Sequence, residues 1–225
     1  MTEEFRGRAE AAAVLLGPIV LMVALFYHPF VSNLTDQSEV AEAMTAGLTR
    51  WGLAHIAVGA GFGLLLLSFL AVRSYLRDSG EQRWSALAVP FLVMGTIFST
   101  FLPAMETALV AGVETGADAT ALQTNLSSWF VPMLITGSAL FGIGVVLIAA
   151  GVVASRAFNP QRARVIAGVL AVVAVSRFIP QGLALNAGAL AALVALAPIA
   201  IQMWKAVPGV NSARRPAVAR PGTAR

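Results

Sequence analysis

The chain is predicted to be an all-α, polytopic integral membrane protein with six transmembrane helices and both termini cytoplasmic. Three observations predict it. Of 225 residues, 58% are hydrophobic and only 12% charged, whereas soluble domains carry about 25% charged residues. Six apolar runs follow one another along the chain, and basic residues gather in alternate connections, as they do in loops kept in the cytoplasm. The net charge of +4 is no sign of nucleic-acid binding, because the basic residues lie between apolar runs and in a tail. With no cysteine, disulfides, thiolate metal sites, iron–sulfur clusters and cysteine nucleophiles are excluded.

The first run, 11–30, resembles a secretory signal in position, but no small-residue cleavage pattern follows in 31–36. Its 20 residues span about 30 Å, the thickness of a hydrocarbon core. The remaining helices are expected at 51–73, 85–113, 129–155, 165–180 and 183–204, making one domain over 1–206. In the first connection, Asp36 or Ser38 can cap a short helix on which Val40, Ala43, Met44 and Leu48 share a face. The stretch 114–128 is polar, has no strong period and is expected to be irregular.

Orientation follows from charge. Arg6 and Arg8 precede the first helix. Arg73, Arg77 and Arg83 flank the second-to-third connection, Arg156, Arg162 and Arg164 the fourth-to-fifth, and Lys205 with four arginines follows the last helix. That is 13 of the 15 basic residues, so one alternation accounts for every connection. From 207 to 225 the composition turns to Pro, Gly, Ala and Arg, which predicts a disordered basic cytoplasmic tail near anionic lipid. The Ala-, Arg- and Val-heavy style suggests a bacterial inner membrane. In that setting Asn33-Leu34-Thr35 and Asn125-Leu126-Ser127 match the glycosylation pattern without being expected to carry sugar.

Glycines punctuate two helices at Gly59, Gly61 and Gly63 and at Gly137, Gly142 and Gly144. In a bilayer they point to close helix packing, because van der Waals contact drives association there.

Four embedded polar groups fall at one depth, in the outer leaflet: His28, His55, Glu106 and Arg177. Glu106 lies 21 residues, about 31 Å, beyond Ser85, and Arg177 lies 13 residues, about 20 Å, beyond Arg164. An embedded charge is costly and marks a candidate site. Glu106 and Arg177 are expected to pair, beside a polar turn with Gln181 and Asn186. His28 and His55 flank one connection and, with Glu106, could hold zinc or iron, or alone a haem.

Three function classes follow. The first is an outward-facing pocket of Glu106, Arg177, Gln181, Asn186, His28 and His55 that binds or transports a small ligand or protons. The second is an enzyme acting on a lipid-soluble substrate, with Glu106 and His55 as acid–base partners or a histidine-held metal or haem. The third is an accessory membrane subunit or homo-oligomer whose charges join helices.

Overall fold

The computed structural model describes residues 3–207 and contains seven helices and no sheet among them. They are α1 (Glu3–Tyr27), α2 (Gln37–Thr45), α3 (Leu48–Asp78), α4 (Arg83–Glu114), α5 (Ala119–Ala154), α6 (Pro160–Ser176) and α7 (Gly182–Ala206). Five of them, α1, α3, α4, α5 and α7, are long and apolar enough to cross a membrane, as in a multi-pass membrane protein. The tail expected over 207–225 lies outside the described residues except for Val207, which is buried.

Local chemistry explains most of the boundaries. Helix α1 stops at Tyr27 because Pro29 disfavours helical backbone at His28, and Arg50 Nε then donates to the Tyr27 carbonyl at 2.7 Å. Asp36 caps α2, accepting from the Ser38 and Glu39 amides. Val40 and Met44 pack beneath it against Val31 and Trp51, so the predicted short helix forms. Glu81 accepts from the Trp84 and Ser85 amides at the start of α4. Asn159 caps α6 with Pro160 at its first position, so α6 begins five residues earlier than the apolar run suggests.

The stretch 114–128 departs from expectation. Gly116 turns the chain at φ 93°, Asp118 caps the Ala121 amide, and α5 starts at Ala119. That adds ten residues to the expected helix for a total of 36, a length of about 54 Å.

The six longer helices close a ring in the order α1, α3, α4, α5, α6, α7 and back to α1. Helix α2 lies outside the ring at one end, on α5 and α3. The tightest approaches involve glycine. A Cβ on Gly95 would collide with the Phe141 backbone, one on Gly17 with the Leu65 backbone, and one on Gly61 would stand 2.9 Å from Leu21 Cα. Gly137 and Gly144 likewise meet Phe98 and Leu92, while Gly63 has open space and serves no contact. Phe62, Phe69 and Phe141 fill the middle of the ring, with Phe141 edge-on to both others at 6.2 and 6.0 Å.

Gly95→Ala therefore forces α4 and α5 apart and is expected to destabilise the protein by about 1–3 kcal/mol, the range for overpacking. Gly63→Ala should be neutral. Thermal melting of the two variants in one detergent checks the contrast.

Candidate functional site

Above the aromatic plug, towards the α2 end, the ring encloses a cavity of about 570 Å³. Its walls are mainly apolar: Leu21 and Leu25 from α1, Val58 and Phe62 from α3, Leu134 from α5, Leu185 and Ala189 from α7. The polar groups are few, and they include the four that share a depth in the sequence. His28, His55, Glu106 and Arg177 all line this one cavity, with Asn186, Gln123 and Ser99. Gln181 does not. It caps α7 and lines a separate shallow cleft with Asn33 and Leu183.

Glu106 and Arg177 do not form the expected ion pair. Among the described residues the salt bridges are Arg6–Glu10, Arg8–Glu4 and Arg77–Asp78, all exposed. Arg177 caps the end of α6 and reaches across the ring, where its guanidinium lies 4.7 Å over the Phe62 ring and Nη2 donates to Ser99 Oγ at 3.2 Å. Ser99 stands seven residues before Glu106 on α4, about 10 Å along the helix, which explains why equal depth by residue count does not become contact. Arg177 Nε is buried without a hydrogen-bond partner among the described residues, as is Ser138 Oγ on the same cavity.

Glu106, 5% exposed, instead accepts from Gln123 Nε2 at 2.8 Å. The Trp51 indole N–H lies near the same carboxylate but outside hydrogen-bond geometry. Gln123 lines the cavity but is not expected from the sequence, because it falls in the stretch expected to be irregular. The signal was present: Asp118 as a cap, then Ala119, Leu122, Leu126 and Phe130 at helical spacing.

The histidines come together. His28 Nε2 and His55 Nε2 are 3.4 Å apart, and Trp51 packs against both rings at 4.6 Å between centroids. His28 Nδ1 donates to the Pro29 carbonyl at 2.6 Å and His55 Nδ1 to the Trp51 carbonyl at 2.9 Å. Glu106 does not join them: among the described residues no three His, Asp or Glu side chains converge as a metal-ligand group. A haem shared by the two rings does not fit either. Axial nitrogens on opposite faces of one iron are separated by two bonds of about 2 Å each, roughly 4 Å in all, with a macrocycle between. His55 and Glu106 also share no hydrogen bond, since both are bonded elsewhere, so the acid–base pairing expected of an enzyme is not formed.

A roof closes the α2 end. Asn33 and Gln181 form an antiparallel bridge, Leu34 N donates to the Pro180 carbonyl at 3.0 Å, and Gly182 sits so close to the Val31 carbonyl that a Cβ there would collide with it. Glu39 ties the strap to α2 by accepting from the Ser32 amide and hydroxyl and the Asn33 amide.

Comparison with protein-family models, curated proteins and solved structures finds no match to this chain.

Hydrogen bonds from the Ser32 amide above all, then from the Ser32 hydroxyl and Asn33 amide, hold the Glu39 carboxyl below the usual carboxylate range. A depressed pKa favours the folded strap at pH above the unfolded value of about 4.3, and that contribution is lost as pH falls through the folded value. Hydrogen exchange at the Ser32 and Asn33 amides should accelerate in acid, relative to the intrinsic rate. Glu39→Gln should show the faster exchange already at neutral pH.

Proposed function

We propose that the protein is a six-span membrane protein, with both termini cytoplasmic, whose outward-facing cavity binds a small amphipathic molecule carrying one anionic group. The observation that carries this reading is Arg177. It brings a full positive charge to a mainly apolar cavity, it has no acidic partner among the described residues, and it leaves Nε unsatisfied. Arginine cannot shed its charge by losing a proton. A buried cation without a counter-ion is expensive, so a ligand that supplies the anion gains what the protein forgoes without it. Carboxylate and phosphate both suit a guanidinium.

The walls argue for an apolar body on that ligand. Several residues that line the cavity are also exposed on the outside of the ring, among them Phe30, Ile135 and Phe178. Phe178 stands just past the end of α6 at Ser176, and such residues favour a mouth open to lipid rather than to water. Neither an acid–base enzyme nor a proton carrier has a comparable observation in its favour.

The sixth crossing is α6. Its apolar part, 12 residues over 165–176, is shorter than the usual transmembrane range of about 17–25, but Val165, Val172 and Val175 give it the apolar outer face the other helices have. The basic connections put both termini in the cytoplasm, and the composition favours a bacterial inner membrane.

Because the chain lacks cysteine, single cysteines report topology cleanly. Ser38→Cys should react with a membrane-impermeant maleimide on intact cells, and Ser79→Cys only after permeabilisation; the reverse pattern would invert the orientation. For the ligand, dodecanoate should raise the melting temperature of protein in lipid nanodiscs more than dodecanol does. Binding at 100 times Kd stabilises by about 2.7 kcal/mol. Arg177→Gln should abolish the difference between acid and alcohol while leaving the alcohol effect. Equal shifts from acid and alcohol in the unaltered protein would sink the anion reading.

A further inference from the structure

The two histidines are the only ones in the chain, and their hydrogen bonds dictate what their facing nitrogens can do. A backbone carbonyl only accepts, so His28 Nδ1 and His55 Nδ1 must both carry hydrogens. In the neutral rings each Nε2 is then a lone pair, and the two lone pairs face each other across 3.4 Å. That arrangement is unfavourable unless a cation lies between them. A proton between them would make only a long, weak bond, since N–H···O hydrogen bonds run about 2.7–3.2 Å.

A metal ion fits better. Two metal–nitrogen bonds of about 2.05 Å meeting at the tetrahedral angle hold their nitrogens about 3.4 Å apart. Ligands at a right angle would stand about 2.9 Å apart, and opposed ligands about 4.1 Å, with bonds of the same length. The separation of 3.4 Å matches the tetrahedral bite. The outer support is of the kind metal-ligating histidines use: each ring donates its other N–H to a carbonyl, which fixes tautomer and orientation. Trp51, 2% exposed, clamps both rings from one side, so the bite is preorganised.

We infer that His28 Nε2 and His55 Nε2 form a two-histidine clip for a tetrahedral divalent transition metal of the zinc class, at the edge of the cavity. Glu106 is not a ligand. The other two positions are left to water or an added anion, so the clip offers one protein ligand fewer than the three of a catalytic zinc site. This inference stands apart from the Arg177 reading, because it uses neither Arg177 nor the bound amphipath.

Cobalt(II) serves as the visible probe for such a site. Untagged, detergent-purified full-length protein stripped with chelator should take up one cobalt per chain, develop the intense visible bands of a tetrahedral centre, and lose them to zinc. His28→Gln and His55→Gln should each weaken cobalt binding at least tenfold. A pale octahedral spectrum, or uptake that neither substitution changes, would overturn the inference. A second measurement needs no variant. Saturating zinc should protect both histidines from diethyl pyrocarbonate, and labelling that proceeds undiminished at both would equally rule the clip out.

Discussion

The fold depends on backbone-to-backbone contact at a few glycines. Gly95 lets α4 touch the Phe141 backbone of α5, and Gly17 and Gly61 let α1 and α3 meet along two turns. Where lipid is as apolar as leucine, helices gain nothing from hiding apolar surface from one another, and only close fit holds them. These two tight pairs are the rigid sides of the ring. Helices α6 and α7, rich in alanine, complete it, and the aromatic trio of Phe62, Phe69 and Phe141 fills its middle. The cavity at the α2 end is the volume those contacts leave.

Within that volume the polar groups divide by how they meet their own needs. Glu106 is met by Gln123. Arg177 is met only in part, by a hydroxyl and an aromatic face, and the histidines satisfy their Nδ1 hydrogens while opposing their lone pairs. Buried polar groups are ordinarily paired. Arg177 and the histidine pair are exceptions, together with Ser138 Oγ and the Trp51 indole N–H, and all of them line one cavity.

Much of this is legible in the sequence. Hydropathy located all six long helices, the Asp36 cap and the Val40, Met44 face located α2, and residue counting put His28, His55, Glu106 and Arg177 at a depth that turned out to be one cavity. Counting gives height along a helix axis but neither azimuth nor the reach of a long side chain. For that reason the Glu106–Arg177 pairing was expected and Arg177–Ser99 was not. Gln123 was lost because the polar face of α5 masks its start, and the tight contacts of Gly17 and Gly95 were lost because a single glycine among large apolar residues has no period to read.

The length of α6 carries a consequence for where the protein works. With α6 as a crossing, the 12 apolar residues beyond Arg164, 165–176, supply about 18 Å beside a hydrocarbon core of about 30 Å. The bilayer must thin along that flank, or α6 must slide towards one face, at a cost of fractions of a kcal/mol per ångström. Phe178, just past α6 on that flank, is both exposed and part of the cavity lining. Membrane thickness, set by acyl-chain length, thus becomes a mechanical variable acting on the cavity: shorter acyl chains relieve the mismatch, and longer ones draw α6 and its neighbours out of register.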